Sequence, residues 1–274
     1  MLKIKKILNN NAVIVMDKAE EKIAIGAGVG FEKGKNDILN PQKIEKLFIL
    51  KENEKLQQLL QRIPEEHFIL AEKIIAYAEK QLDTKVNDHI YLVLSDHLSF
   101  AIDRHKQGMV VKNKLLHEIK VLYPKEFDIG LWAVNYINEK LAIHLPVDEA
   151  ASIALHIHTM KIQGGDLKDT IRQTSILKSM VDSIQDFLGI PISESDLSYE
   201  RLIIHLRFAL TRAETESSDS MDEEMQAMIK RKFKHSYRCA MKVSDELSKV
   251  HGIELPDGEL GYIAIHIERI KNQS

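Results

Sequence analysis

Apolar and polar positions change period along the chain. Leu2-Lys3-Ile4-Lys5 alternates, Ala12 to Met16 and Lys22 to Ile25 are β-rich runs, and a further run over 44–50 closes this segment. Turn formers separate the runs: Asn9-Asn10-Asn11, then 17–21, then Gly26-Ala27-Gly28-Val29-Gly30. An antiparallel meander is the economical topology for short strands so spaced. From Leu56 the spacing turns helical, with Leu59, Leu60 and Ile63 on one stripe and a break at Pro64. Helical runs are predicted over 68–81, 88–104, 114–122, 130–141 and 147–161, before Gly164-Gly165 interrupts the pattern. A second helical set follows from about Lys168 to the end. Within it 214–224, rich in Ser, Asp and Glu, reads as a solvated loop, whereas its counterpart 106–114 is basic.

The two helical sets are copies of each other. His97-Leu98-Ser99-Phe100-Ala101-Ile102-Asp103-Arg104 returns 108 residues later as His205-Leu206-Arg207-Phe208-Ala209-Leu210-Thr211-Arg212, and Asp88, Tyr91 and Leu94 match Asp196, Tyr199 and Leu202. Leu145-Pro146, Glu149 and Ile153-Ala154-Leu155-His156-Ile157 return 110 residues later as Leu255-Pro256, Glu259 and Ile263-Ala264-Ile265-His266-Ile267. A period this long exceeds that of solenoid units and marks a duplicated domain. The expected organisation is multidomain: a small antiparallel all-β domain over 1–55, then two homologous all-α helical bundles over 65–168 and 169–274.

Composition narrows the class. Hydrophobic content of 44% and charged content of 29% over 274 residues are ordinary for a soluble globular protein. No apolar run approaches a membrane span and no signal peptide opens the chain, so a cytoplasmic location without membrane insertion is expected. The lone Cys239 excludes an intramolecular disulfide and is read as core filling. Residues 1–55 hold eleven Lys against eight Asp plus Glu, hence +3, which leaves −6 on the rest of a net −3. A basic module on an acidic body permits a nucleic-acid partner. Its thin core suggests that it gains stability by dimerising.

Chemistry-bearing residues concentrate in two places. In the first, the glycine run lacks both the GxGxxG spacing and the Lys-Ser/Thr ending of phosphate loops. Phe31 after it either closes a hairpin in the core or offers a flat face to a base. The Asn triplet either supplies turn chemistry or reads base edges. In the second, each copy holds two histidines about 60 residues apart, His97 with His156 and His205 with His266. Glu149 and Glu259 lie two helical turns before His156 and His266, on the same stripe. No metal site is expected, because these acids are too distant along the helix to chelate with the histidines. No GxSxG elbow or other catalytic set appears, and no cofactor is implied. Reversible phosphorylation of neutral imidazole fits the pairs better, with Arg104 and Arg212 placed to answer the added charge.

Over essentially its full length the chain resembles bacterial transcriptional antiterminators of the BglG/LicT/SacY type. Their order is an RNA-binding co-antiterminator domain followed by two PTS regulation domains. Leu8-Asn9-Asn10-Asn11, Gly26-Ala27-Gly28-Val29-Gly30-Phe31 and the following 33–37 look like the RNA-facing segments. By this resemblance Asn9, Asn11, Gly26 and Phe31 contact RNA, with Lys5 and Lys6 at phosphates. Ala27, where some members carry arginine, looks like the sucrose-responsive branch. The four histidines match the regulatory ones, with HPr and a sugar-specific permease component, EIIB, as phosphoryl donors. The resemblance implies a regulator, not an enzyme: a homodimer that grips a leader-transcript hairpin and prevents an overlapping terminator. Phosphorylation of the first pair would inhibit and that of the second would often activate. A DNA-binding activator and a histidine phosphotransfer enzyme are the alternatives; the first would need a helix-turn-helix reader in place of the strands.

Overall fold

Strands form where the alternation places them. β1 (Lys3–Asn9), β2 (Ala12–Asp17), β3 (Glu20–Ile25) and β4 (Lys46–Ile49) make one antiparallel sheet in the order β1-β2-β3-β4. The computed structural model describes residues 2–17, 20–26, 28–44, 46–49, 63–86, 89–161, 166–194, 196–215 and 221–272. Ala27, Leu50, the helical positions Leu56, Leu59 and Leu60, Asp88, Gly164-Gly165 and residues 216–220 of the acidic tract lie outside them.

The central strand β2 is buried on both faces. Val13 and Val15 join Ile4, Ala24, Val29 and Leu39 on one side, the last two supplied by the long connection to β4. Ala12 and Ile14 join Leu8, Ile23 and Ile25 on the other. Each fully buried Val or Ile contributes about 1.5–3 kcal/mol, so a bare second face would forfeit much of the module's stability. Ile63, which precedes the helices, and Phe68 and Leu92, from the first helical repeat, cover it. Strand β1 departs from strict alternation, because its register against β2 shifts between Ile4 and Lys6. Such a bulge inserts one extra residue, and Lys5 and Lys6 consequently both face outward.

Beyond a short 3-10 helix over Pro41–Lys43, the remaining elements are ten α-helices among the described residues. Those of the first repeat are α1 (Glu65–Leu82), α2 (Ile90–Lys106), α3 (Leu116–Leu122), α4 (Pro124–Leu141) and α5 (Asp148–Lys161). Those of the second are α6 (Leu167–Leu188), α7 (Leu197–Glu214), α8 (Glu223–Lys232), α9 (Lys234–His251) and α10 (Asp257–Lys271). Helix α4 begins six residues before the predicted 130 because Pro124, lacking an N–H, fits a first helical turn. Cys239 lies on α9, fully buried, and burial pushes its thiol up to about 12.

The chain divides into two compact units, Met1–Asn113 with Lys125–Gly165, and Lys114–Pro124 with Asp166–Ser274. In the first unit α2 packs on α1 and α5. In the second α10 packs on α9 and α7, and α9 on α6. Helix α3, although it derives from the first repeat, belongs to the second unit. There the Tyr199 hydroxyl donates to the buried Glu118 carboxylate at 2.7 Å, and Ile119 is fully buried. Desolvation and the Glu118 hydrogen bond raise the Tyr199 hydroxyl far above its ordinary value, so it stays a donor.

Candidate RNA interface and histidine sites

The asparagine turn and the glycine loop, separate in sequence, are stitched together at one end of the sheet. Gly26 N–H donates to Asn11 O at 3.0 Å and Gly30 N–H to Asn10 O at 2.7 Å. The Asn11 side chain is buried, 3% exposed, and its Oδ1 accepts from Gly28 N–H at 2.5 Å. Asn9 Oδ1 accepts from Asn11 N–H at 2.8 Å, which fixes the turn. Both loops therefore move as one body. Gly28 holds φ +63°, favourable for glycine, and a Cβ on Gly30 would meet Asn9 O at 2.6 Å.

This arrangement sorts the candidates. Phe31 is 56% exposed, so of its two readings the structure supports the flat outward face and not the core. Gly26 and Asn11 are buried and shape the loop, Asn9 is half-buried, and Lys5 and Lys6 are exposed on β1, Lys5 in an ion pair with Glu21. Asn10, which the sequence reading passed over, is the exposed member of the triplet. Turn propensity is common to all three asparagines and carried no signal to distinguish them.

The histidines of each copy meet across two helices. His97 on α2 and His156 on α5 have ring centroids 4.8 Å apart, tilted by 47°. His205 on α7 and His266 on α10 stack at 3.7 Å and 26°. The conserved spacing within the chain thus converts 60 residues of separation into a ring contact in both copies. Burial, reinforced by the charge of His97, holds His156 down at about 3. Burial, with His205, Arg269 and Arg201, holds His266 at about 4. His205 is lowered too, by desolvation and by Arg212 and Arg269. These imidazoles are neutral near pH 7 and keep a nucleophilic lone pair.

Each pair has a buried glutamate and an arginine. Glu149 Oε2 lies 3.3 Å from His97 Nε2, and its Oε1 accepts from Arg104 at 2.8 Å. Burial alone would raise Glu149, but the adjoining His97 and the Arg104 guanidinium outweigh it and hold the carboxyl below its usual range. In the second copy Arg212 donates to both Glu259 oxygens, at 2.5 and 2.6 Å, and Glu259 is 2% exposed. Sequence spacing set each glutamate beside its own-helix histidine; the structure gives the carboxylates to residues of the facing helix. No group of three or more His, Cys, Asp or Glu among the described residues could hold a metal ion. No described helix is long and apolar enough to cross a membrane.

Comparison with known proteins accounts for both regions. The CAT RNA-binding domain family matches residues 2–57, which contain both loops, and the PRD domain family matches 72–160 and 178–270, each with one histidine pair. The chain is 37% identical over 277 residues to the beta-glucoside operon antiterminator of Dickeya chrysanthemi, covering 99% of this chain and 98% of that protein. It belongs to the CAT and PRD family of transcription antiterminators. The transcription antiterminator LicT of Bacillus subtilis is 35% identical over 278 residues and matches along the whole of both chains. A crystal structure of GlcT CAT-PRDI superposes with TM-score 0.52 at 36% identity, covering 59% of this chain and 99% of that one. Family membership bears out the resemblance drawn from the sequence and the order of a β domain before two helical PRD domains.

Proposed function

We propose that this chain is a sugar-responsive transcription antiterminator. As a homodimer in the cytoplasm it grips a hairpin in a leader transcript and prevents formation of an overlapping terminator. Its RNA-binding domain spans 1–55 and its regulatory domains 65–168 and 169–274. The observation that carries this reading is the rigid loop pair presenting Phe31 and Asn10 outward, with Lys5 and Lys6 exposed on β1. Unstacked bases of a loop or bulge can lie on Phe31, amides of Asn9 and Asn10 can read their edges, and the lysines can answer phosphates. Asn11 and Gly26 hold the loop backbone in position.

Control lies with His97, His156, His205 and His266 as phosphoryl acceptors, with HPr and a sugar-specific EIIB as donors. The neutral rings of His156, His205 and His266 suit nucleophilic attack on a phosphoryl group. Each phosphoryl adds up to about two negative charges, which a neighbouring guanidinium can meet with N–H donors that its glutamate does not take. The protein is a regulator in this scheme: the phosphoryl group stops at histidine and no substrate is turned over.

Gel-shift titration of the full-length chain against the leader hairpin of its neighbouring sugar operon tests the RNA half. Phe31→Ala is expected to weaken binding about 10–100-fold, the worth of one base–aromatic stack, with the thermal melt unchanged. Equal affinity of Phe31→Ala and wild type would overturn the role of Phe31. Absence of hairpin binding by the wild type would overturn the reading itself.

A further inference from the structure

We infer that His97 accepts its phosphoryl group on Nδ1, and that Glu149 is the positioning residue that selects this nitrogen. The inference rests on the phosphorylation reading above and adds to it the reacting atom.

His97 presents its two nitrogens to different surroundings. Nε2 is shielded from solvent and lies 3.3 Å from Glu149 Oε2, an ion-pair distance without the alignment of a hydrogen bond, and neither atom has another hydrogen-bond partner among the described residues. A phosphoryl group bonded there would set its anionic oxygens against a carboxylate that is itself only 6% exposed, a like-charge contact in a poorly screened setting. The same carboxylate is anchored from its other oxygen by Arg104 at 2.8 Å, so it does not readily turn away. Among the described residues no hydrogen bond or ion pair engages Nδ1 or competes for its lone pair. A carboxylate beside one imidazole nitrogen favours the tautomer with the proton on that nitrogen and leaves the other as the base or nucleophile. Glu149 therefore keeps Nε2–H and frees Nδ1.

The step balances on this assignment. The Nδ1 lone pair attacks phosphorus of a phosphohistidine or phosphocysteine donor. A new N–P bond forms as the donor's P–N or P–S bond breaks, and that electron pair stays with the donor. The His97 ring gains positive charge, keeps its Nε2 proton and donates it in a hydrogen bond to Glu149, which stabilises the cation as it develops. No oxidant, metal or added base is required.

The second site lacks this selector. Both Glu259 oxygens are engaged by Arg212, His205 is solvent-exposed, and no His205–Glu259 ion pair occurs among the described residues. Nothing comparable fixes the nitrogen at His205.

The test uses the full-length chain labelled with 15N-histidine and phosphorylated by phospho-HPr, and in parallel by phospho-EIIB. Long-range 1H–15N NMR at alkaline pH, where phosphohistidine persists, distinguishes the Nδ1 from the Nε2 adduct, and peptide mass spectrometry places it. Phosphate on Nδ1 of His97 is expected. Glu149→Gln should slow labelling of His97 about tenfold or more and yield both isomers, Glu149→Asp should restore Nδ1, and labelling of His205 should be unchanged in both. A merely structural role for Glu149 would lower the yield without altering the isomer. Phosphate on Nε2 of His97 in the wild type, or on other histidines but not His97, overturns the inference and leaves histidine control standing. Absence of phosphate from all four histidines with either donor overturns the regulatory reading itself.

Discussion

At the first site Glu149 divides its carboxylate between His97 and Arg104, whereas at the second Glu259 gives both oxygens to Arg212 and the His205 ring lies flat on His266. The same three residue types at four matched positions thus make two different networks. One couples its first histidine to the buried charge; the other leaves that histidine on the surface with its partner ring. Duplication preserves residue identity, but which atoms meet is decided by side-chain geometry at the helix contact. On the proposed phosphorylation, two PRD domains can therefore answer one modification differently with the same residue types at the matched positions.

Energetics offers the sharpest way to break this comparison. Arg212→Ala leaves a carboxylate of 2% exposure without a cation and should destabilise the second unit by about 3 kcal/mol. Arg104→Ala should cost about half as much, because Glu149 still has His97 within reach. Urea titration at pH 7.5 reads both; equal losses would erase the distinction between the networks.

Helix contacts at the two sites differ as well. A Cβ on Gly130 would run into the backbone carbonyl of Ala150, while one on Gly261 would meet the flexible end of Met221. Gly130→Ala should cost about 2 kcal/mol and Gly261→Ala less than about 1 kcal/mol. Thermal melts of the two variants check the order.

At neutral pH the remaining contrast is a pH slope that sets in only below the ordinary histidine value. Folded His156 sits at about 3 against an ordinary value of 6.5, so the unfolded chain binds the proton first. Stability is full above about pH 6.5 and falls by up to about 1.4 kcal/mol per unit as the pH drops towards 3. His156→Gln should flatten this slope in urea midpoints measured between pH 7 and 5. His266→Gln acts in the same direction, over a window that closes near 4.

Much of the architecture was legible in residue order. Alternation and turn formers located the strands, and the repeated strings located both histidine pairs. The bulge in β1 was not legible, because nothing in Leu2-Lys3-Ile4-Lys5 signals an extra residue, and it is the bulge that turns Lys5 and Lys6 outward together. Nor was the partner of Glu149: spacing along α5 tells which face a residue occupies and not what lies opposite. The membership of α3 in the second unit depends on Glu118 meeting Tyr199, 81 residues away, a pairing that no local period encodes. Among the loop residues, propensity identified the asparagine turn, while the division into buried Asn11 and exposed Asn10 follows from hydrogen bonds to a distant glycine loop.

Helix α2 carries Leu92 near its start and His97 and Arg104 further along. Leu92 is packed in the apolar layer beneath β2 and β3, the strands that lead into the asparagine and glycine loops. A helix of 17 residues is a stiff rod about 25 Å long. His97 lies five residues from Leu92 on this rod and cannot shift independently of it, so on the proposed reading a displacement imposed at His97 arrives beneath the asparagine and glycine loops as lever motion, with no relay of intervening side chains.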